Sequence, residues 1–455
     1  MESIKSLKCG KASGLDGLSA EHLKYADDKL CVLFSIALNA MVIHNFIPET
    51  MLDTIIVPLI KDKNGNISDH ENYRPLALTC VISKMFEFLI LHRYQDLLRT
   101  TANQFGFKQK LSTDMCIFSL KQIIEYYNCY SSPVYLCFLD ASKAFDKLNH
   151  WHLFSKLLDR NVPSIIVRIL LYLYVHQKYT VRWSGCFSVP FYVSNGAPQG
   201  RILSPSFFNV YMDELSCKLN LCPKGCRFND INANHLFYAD DAVLMASSPS
   251  ALQCLLDICS DYANSYELKF NAKKTKCMVI KPKCYRNLKV PDFVLSSCTL
   301  DFTDTIKYLG CIISNDMSDD CDIKRQIRSV YARGNMLISK FRSCSPEVKV
   351  KLFKAYCTSF YGFTTWSSYH LSLKKKLDVA YKKIFRSFFL CRREGTTLSM
   401  LQYSIEPFPV ILRKCLYGFV ERIYDCDNSI LCAIVNALFY RSTPFFKHYI
   451  RTVHT

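Results

Sequence analysis

The sequence lacks a hydrophobic run long enough to cross a bilayer. The longest apolar stretches, residues 31–43 and 165–175, are interrupted by polar residues and fall short of the roughly 20 residues that a transmembrane helix needs. The first eleven residues have no apolar core, so we expect no secretory leader. Internal repeats and low-complexity tracts are also missing, which argues against a repeat array. We therefore expect an intracellular protein of the nucleus, the cytoplasm or both, with no membrane partner.

Acidic residues are scarce relative to basic ones. The chain has 57 Lys plus Arg against 39 Asp plus Glu, which gives a net charge of +18. Such an excess favours a polyanionic partner, most simply a nucleic acid, although a generally basic protein would show the same balance. With 455 residues, half of them hydrophobic, the chain is long enough for two or three domains.

The 23 cysteines follow no regular spacing. In a chain of this length that pattern predicts reduced thiols rather than a disulfide framework. The group nearest to a zinc motif matches no recognised ligand spacing, so we assign its members to loops and core: Cys217, Cys222, Cys226 and His235.

The predicted strands and helices together indicate an α+β protein. Residues 133–140, "PVYLCFLD", are apolar on both faces, as in a central buried strand. Residues 235–247, "HLFYADDAVLMAS", read as two short strands joined by an Asp-Asp turn. Helical spacing is found in residues 19–45, 80–99, 143–158 and 251–266, and from about residue 316 to the end the pattern is helical and basic.

Three carboxylates are predicted to meet at one edge of this sheet. Asp140 ends the first strand, while Asp240 and Asp241 form the turn of the hairpin. An Asp pair is also common in an ordinary turn. Grouped carboxylates repel each other unless cations neutralise them, however, and Mg²⁺ prefers such oxygen ligands. The pattern therefore predicts a metal site.

The order of several motifs resembles the reverse transcriptase domain of non-LTR (LINE-like) retrotransposons. These motifs are, in chain order, "FLDASKAFD", "NGAPQGRILSP", "FYADD", "LKFNAKKTK" and "KYLG", and the resemblance covers roughly residues 8–395. It implies a right-hand polymerase fold. Residues 1–132 would form a fingers-like region, 133–315 a palm with an antiparallel sheet and the catalytic motifs, and 316–455 a basic helical thumb with a C-terminal extension.

The resemblance also implies a reaction. The chain would be an RNA-directed DNA polymerase that joins a dNTP to a primer 3′-hydroxyl on an RNA template, using Mg²⁺, with Mn²⁺ as a substitute. Asp140, Asp240 and Asp241 match the catalytic metal ligands. Lys274 matches a general acid near the leaving pyrophosphate, and its neighbours Lys273 and Lys276 are open alternatives.

Five further residues match the family's nucleotide-binding positions. Phe145 matches the ring that clashes with a ribose 2′-hydroxyl, although helical spacing also permits a plain core residue. Gln199 and Gly200 match the loop beside the incoming nucleotide, and Lys61 and Arg74 match cations that hold the triphosphate. Taken alone, each of these would be an ordinary turn or surface residue.

A few positions depart from the family pattern. Arg201 stands where a small residue is common, Ala197 often corresponds to Val, and residues 108–113, "KQKLST", lack the usual Gly-Arg. Asp146 matches the pattern as a helix-start residue. The hairpin "KYLG" matches the segment that grips the primer end.

Three alternatives remain at the level of sequence. The first is a truncated, catalytically inert retroelement remnant that at most binds RNA, since no endonuclease, RNase H-like or Cys/His-knuckle segment is visible. The second is an RNA-copying RNA polymerase, which Phe145 disfavours, and the third is a group II intron-type maturase. The basic helices predict a nucleic-acid-binding thumb, although most such helices simply expose a solvated face, and some bind membranes.

Overall fold

A computed structural model describes residues 2–141, 143–282, 289–392 and 394–453; Ser142, inside the first motif, lies outside them. The α+β class is confirmed. The helices are α1 Glu2–Lys5, α2 Ala20–Lys24, α3 Lys29–His44, α4 Glu49–Leu52, α5 Val81–Tyr94, α6 Thr113–Cys129, α7 His150–Asp159, α8 Ser164–Val175, α9 Ser204–Leu221, α10 Pro249–Ser265, α11 Asp320–Phe341, α12 Pro346–Cys357, α13 Leu371–Phe389, α14 Thr396–Gln402, α15 Phe408–Tyr424, α16 Ser429–Asn436 and α17 Pro444–Val453.

Within the described residues, the strands form two larger sheets and three two-stranded hairpins. They are β1 Asp53–Ile60, β2 Tyr73–Thr79, β3 Val134–Asp140, β4 Lys178–Trp183, β5 Cys186–Phe187, β6 Phe191–Tyr192, β7 Arg227–Phe228, β8 Ile231–Asn232, β9 His235–Tyr238, β10 Asp241–Ala246, β11 Lys276–Ile280, β12 Val294–Leu295, β13 Cys298–Thr299, β14 Asp301–Phe302, β15 Thr305–Tyr308 and β16 Cys311–Ser314. The hairpins are β7–β8, β12–β13 and β15–β16.

The chain divides into two compact units, each assembled from separated segments. The first unit comprises residues 1–107, 141–218 and 259–270, and the second comprises 108–140, 219–258 and 271–455. The division into fingers, palm and thumb at residues 133 and 316 stays a prediction.

The sheet of the first unit has the order β2-β1-β4-β5, and β6 also pairs with β4. Strands β1 and β2 are antiparallel from Thr54–Thr79 to Ile60–Tyr73, whereas β1 and β4 are parallel. Ile55 and Ala77, which face opposite sides of this sheet, are both buried. The β1–β2 hairpin carries both residues that are predicted to bind the triphosphate, Lys61 and Arg74.

The sheet of the second unit has the order β14-β11-β3-β10-β9. Its central strand β3 is buried from Val134 to Leu139, as its two-sided apolar pattern predicts. Strand β10 runs antiparallel to both β3 and β9 and is buried from Ala242 to Ala246. The hydrophobic residues therefore fix the centre of this sheet, and the polar residues emerge only at its edge.

The C-terminal helices of the second unit share one apolar core. Helices α11 and α13 pack together through buried residues that recur at helical spacing, among them Val330 and Leu337 on α11 and Tyr381 and Ile384 on α13. The basic residues of α13 lie mostly on its other side. The predicted helical pattern after residue 316 is confirmed. Among the described helices, none is both long and apolar enough to cross a membrane.

Two predicted helices begin or break elsewhere. Residues 19–45 form two helices, α2 and α3, rather than one. The helix predicted from residue 143 begins only at His150, where the side chain of Asn149 caps it by accepting from two backbone N–H groups. Phe145 and Leu148 match helical spacing, but both lie in the segment before the helix, which packs their side chains inward.

Gly334 on α11 allows the close approach of α13. A Cβ at this position would overlap the side chain of Ile384. We expect Gly334→Ala to lower the free energy of unfolding by about 1–3 kcal/mol through overpacking, although Ala normally favours a helix. The matched control is Gly418→Ala on α15, where a Cβ would have only Arg422 within 4 Å, at 3.8 Å, and stability should rise by about 0.5–1 kcal/mol. Chemical denaturation measures both changes. Equal effects of the two substitutions would contradict the packing argument.

Candidate active site

Two strands of the second unit bring aspartates face to face. Asp140 is the last residue of β3, Asp241 is the first of β10, and the register pairs them directly. Side chains of directly opposed residues lie on the same face of a sheet, with Cα atoms about 4.5–5.5 Å apart. Asp240 is the adjacent residue in the turn. The three predicted metal ligands are therefore neighbours at one sheet edge.

The turn that carries Asp240 is strained. Only Ala239 and Asp240 connect β9 to β10, because Tyr238 pairs with Asp241. Ala239 is buried and has a φ of +58°, in the left-handed region that favours glycine. Such a residue costs about 1–3 kcal/mol and persists only where its surroundings determine it. Here the buried strands on either side hold the turn in place.

The carboxylates of this edge influence one another. The pKa of Asp241 is raised to about 6. Desolvation of the carboxyl is the largest cause, and the negative charges of Asp240 and Asp140 act in the same direction. A carboxyl with an ordinary pKa near 4 would be fully ionised at neutral pH. The edge therefore concentrates negative charge, which a cation would stabilise.

The "NAKKT" turn is fastened to the same edge. The backbone N–H of Asn271 donates to the Asp140 carbonyl at 2.8 Å, and the Asp140 N–H donates to Thr275 Oγ1 at 3.2 Å. These two bonds place residues 271–275 beside the end of β3. The turn carries Lys274, which is exposed.

The three lysines considered as the general acid are not equivalent. Lys276 lies on β11 and pairs with Asp301 at 2.6 Å. Lys273 and Lys274 are both exposed on the turn itself. The contacts thus argue against Lys276 as the general acid and leave the choice between the other two open.

The β15–β16 hairpin, which includes "KYLG", also meets the sheet. Tyr308 is buried, and its ring packs against Phe138 of β3 with centroids 5.2 Å apart. Its hydroxyl lies 3.6 Å from Cys116 Sγ. Burial raises the pKa of Tyr308 well above its usual value, and the nearby charges of Cys116 and Asp241 act in the same direction. The hairpin is therefore close to the carboxylate edge.

In the first unit, Lys61 and Arg74 belong to the β1–β2 hairpin. Lys61 directly follows β1, and Arg74 pairs with Leu59. Both side chains are exposed. The Lys61 ammonium donates to the Glu71 carbonyl at 2.8 Å, and the carboxylate of Glu71 pairs with Lys143 at 2.5 Å. Glu71 thus contacts two of these cations, Lys61 through its carbonyl and Lys143 through its carboxylate.

Phe145 lies in a turn before α7 rather than in the helix. Its ring stacks on Phe208 of α9, with centroids 4.3 Å apart, and meets Phe107 edge-on at 6.0 Å. The side chain is half-buried, so one part of the ring stays accessible. The packing fixes the orientation of the ring, and it agrees with both predictions for Phe145, a ring beside the sugar and a plain core residue.

The "NGAPQG" loop is tied to this turn and to the hairpin. Gly196 and Ala197 donate to the carbonyls of Leu148 and Phe145, each at 2.7 Å. The Gln199 carbonyl accepts from the N–H of Ala77 on β2, also at 2.7 Å. The first unit thus gathers Phe145, the loop with Gln199 and Gly200, and the strand that carries Arg74.

Gly200 is required by a close approach of the backbone. Its φ is +120°, and a Cβ there would lie 2.5 Å from the carbonyl oxygen of Ala77. Any side chain would therefore push the loop away from β2. This contact supplies a physical reason for glycine that the sequence alone does not give.

Asp146 has a different position from the one predicted. The residue that caps α7 is Asn149, so Asp146 does not start a helix. It lines a cavity of about 370 Å³ beside the loop, with mostly apolar neighbours such as Val181 and Phe191. Burial raises the pKa of the Asp146 carboxyl, while Lys143 and Lys61 oppose that shift. The match to the family motif identified Asp146 but did not predict the cavity that it lines.

Sequence reasoning also missed the partner of Arg201. Arg201 is fully buried and forms an ion pair with Glu87 of α5 at 2.5 Å. The only signal was the departure from a small residue after "PQG". His235 and Cys226, by contrast, are fully buried as assigned, and burial lowers the pKa of His235 to about 3.

The family model for reverse transcriptase (RNA-dependent DNA polymerase) matches residues 60–313, more than half of the chain. The chain belongs to the reverse transcriptase family. The matched range contains both the aspartate edge and the predicted nucleotide-binding residues described above.

Similar proteins come from mobile elements. The chain is 26% identical over 420 residues to a probable RNA-directed DNA polymerase from transposon BS of Drosophila melanogaster, covering 88% of this chain and 45% of that protein. It is 23% identical over 456 residues to the RNA-directed DNA polymerase from mobile element jockey of Drosophila funebris, covering 94% and 48%. The chain thus spans about half the length of these relatives. The resemblance to non-LTR retrotransposon reverse transcriptases is confirmed.

A solved structure, the apo telomerase of Candida tropicalis, aligns with 92% of this chain and 71% of its own. The sequence identity is 13% and the TM-score is 0.44.

Reverse transcriptases generally use divalent metal ions, and the chemistry of the carboxylate edge fits such an ion. Mg²⁺ typically takes one or two carboxylates together with waters and substrate phosphates. The facing Asp140 and Asp241 supply such a pair. Within the residues that the structure describes, no three or more His, Cys, Asp or Glu side chains are already close enough together to hold a metal ion.

The raised pKa of Asp241 predicts a pH-dependent stability. The pKa of Asp241 is higher in the folded protein, about 6, than near 4 in the unfolded chain, so the free energy of unfolding falls as pH rises through that window. Without divalent ions at pH 7.5, we expect Asp241→Asn to be more stable by about 1 kcal/mol, after allowance for solvent screening. At pH 4 the difference should shrink, because the native carboxyl is then protonated.

Denaturation at both pH values, with and without Mg²⁺, measures this effect. Mg²⁺ should stabilise the native protein more than the variant. Asp230→Asn is the control, because Asp230 is an exposed aspartate in the β7–β8 turn. A native protein that is more stable than Asp241→Asn at pH 7.5 without metal would contradict the raised pKa of Asp241.

Proposed function

We propose that this chain is an RNA-directed DNA polymerase, the reverse transcriptase of a non-LTR retrotransposon. The observation that carries the proposal is the direct pairing of Asp140 with Asp241 beside the Asp240 turn. The reaction is nucleotidyl transfer, in which a primer 3′-hydroxyl attacks the α-phosphate of a dNTP and pyrophosphate leaves. Membership of the reverse transcriptase family supports the same reaction.

The aspartates of the second unit would hold the metal ions. Asp140, Asp240 and Asp241 are the proposed ligands of Mg²⁺, for which Mn²⁺ can substitute. Two such ions, when bound, stabilise both the attacking and the leaving oxygen of a phosphoryl transfer. Lys274, or its neighbour Lys273, would donate a proton to the leaving pyrophosphate from the turn fastened to Asp140.

The residues of the first unit would bind the nucleotide. Lys61 and Arg74 supply exposed cations for the triphosphate, and Arg74 can bind phosphate through two N–H groups. Phe145 would lie against the sugar, where its ring excludes a 2′-hydroxyl. Gln199 and Gly200 would contact the nucleotide through a loop that the backbone of β2 supports.

The partners would be an RNA template, a DNA primer and dNTPs, met inside the cell in the nucleus, the cytoplasm or both. The net charge of +18 favours binding to polyanions through release of counterions. Exposed lysines on α13, such as Lys375, Lys376 and Lys383, offer a cationic surface for the product duplex.

Primer extension tests the activity. The purified chain should extend a DNA primer on an RNA template with dNTPs and Mg²⁺. Asp240→Ala should lower the rate by about a thousandfold or more, because the metal contribution is several kcal/mol. Asp230→Ala is the matched control, since Asp230 occupies the second position of another two-residue hairpin turn, and it should extend normally. If the native chain binds primer–template but extends it in neither Mg²⁺ nor Mn²⁺, the inert-remnant alternative is correct.

Phe145 tests the choice of sugar. We expect Phe145→Val to raise ribonucleotide incorporation relative to deoxynucleotide incorporation by about tenfold to a hundredfold, because the smaller side chain leaves room for the 2′-hydroxyl. Single-nucleotide kinetics with dNTP and NTP measure the ratio. The control is Phe207→Val, since Phe207 is a buried neighbour of the stacking partner Phe208. An unchanged ratio in Phe145→Val would assign Phe145 to the core alone.

A further inference from the structure

The exit of the "NGAPQG" loop contains a buried ion pair, formed by Arg201 at a position where a small residue is common in the family. Arg201 and Glu87 are both fully buried, and Arg201 Nε donates to Glu87 Oε1 at 2.5 Å. Arg201 directly follows Gly200, the last residue of the loop. A charge pair with no access to solvent is costly to place and needs further hydrogen bonds to be tolerated.

Glu87 binds the backbone as well as the guanidinium. Its second carboxylate oxygen accepts from the N–H of Ile202 at 2.7 Å and from that of Leu203 at 3.1 Å. These N–H groups lie at the start of α9, where the backbone N–H groups have no acceptor within the helix. Glu87 thus fixes both the side chain and the backbone of the segment that leaves the loop.

Arg201 connects this segment to the start of β4 and, at a second point, to α5. Nη1 donates to Gln177 Oε1 at 2.5 Å, just before β4, and Nη2 donates to Ser83 Oγ at 3.1 Å, on α5. Gln177 in turn donates to Thr54 of β1. The hydrogen bonds to Glu87, Gln177 and Ser83 use three N–H donors that point in different directions from the planar guanidinium. A lysine ammonium has no such planar arrangement of donors.

We propose that the buried Arg201–Glu87 pair positions Gln199 and Gly200 for nucleotide binding, by fastening the loop exit to α5 and β4. The entry of the loop is already held by backbone bonds to Phe145 and Leu148, so the pair completes the support from the other side. Both are positioning residues. The proposal rests on the proposed polymerase function for its kinetic consequence, but the fastening itself is independent of it.

The test compares two double variants in the full-length chain. Arg201→Met/Glu87→Met removes both charges together, so that no lone buried charge prevents folding. The control is Arg160→Met/Asp213→Met, a second Arg–carboxylate pair of the same unit, in which Asp213 also accepts a backbone N–H, from Thr101 at 2.8 Å. Arg201→Lys keeps the charge but lacks the diverging donors.

Two measurements are made on each variant. Hydrogen exchange of the Ile202 and Leu203 amides should be faster in Arg201→Met/Glu87→Met and unchanged in the control pair. The kcat/KM for dNTP in single-nucleotide extension should fall by about tenfold to a hundredfold, mainly through KM, because displacement of a positioning group by a fraction of its contact distance has effects of this size. Primer–template affinity should not change. Arg201→Lys should fall between the native chain and the double variant.

The outcomes are distinguishable. Native exchange rates in Arg201→Met/Glu87→Met would overturn the fastening. Faster exchange with an unchanged KM, or an equal rise of KM in the control pair, would overturn the positioning role and leave a structural one. A native chain that extends no primer contradicts the proposed function, and the exchange rates then still decide whether the pair fastens the loop.

Discussion

The pairing of β3 with β10 is the constraint on which the carboxylate edge depends. It sets Asp140 opposite Asp241 against their mutual repulsion, and only the hydrophobic residues behind them make that arrangement stable. Every residue of β3 from Val134 to Leu139 is buried, and so is β10 after its first position. Both faces of these strands are close-packed, so a slip by one residue would mismatch the side chains on either face. The core therefore fixes the register, and the register fixes the charges.

The residues that we propose to bind the nucleotide rely on a different principle. In the first unit the "NGAPQG" loop is held by hydrogen bonds to β2, to the Phe145 turn and to the buried pair at its exit. Gly200 lets two backbones meet where a Cβ would collide with Ala77. Directional bonds of this kind define position more narrowly than apolar packing does, which suits a loop that would contact a substrate.

The sheet edge could be predicted from sequence because its signals are local. A two-sided apolar run ending in Asp140 and a short hairpin turning on Asp240 are both contained in a few residues. The start of α7 was misplaced because Phe145 and Leu148 imitate helical spacing, while the cap at Asn149 was overlooked. The partner of Arg201 could not be inferred, because Glu87 is 114 positions away and its burial results from tertiary packing.

The segmented construction of the two units affects how the chain can fold as it is synthesised. The first unit needs residues 259–270, and the second starts at residue 108 and continues to the C-terminal region. Neither is a continuous stretch, so contacts between distant segments must form before either core is complete, which slows folding and exposes apolar surface meanwhile. A ribosome that has synthesised the first two hundred residues has released most of the first unit without its last segment. Shortened copies that stop before residue 259 would therefore lack the last segment of the first unit as well as most of the second.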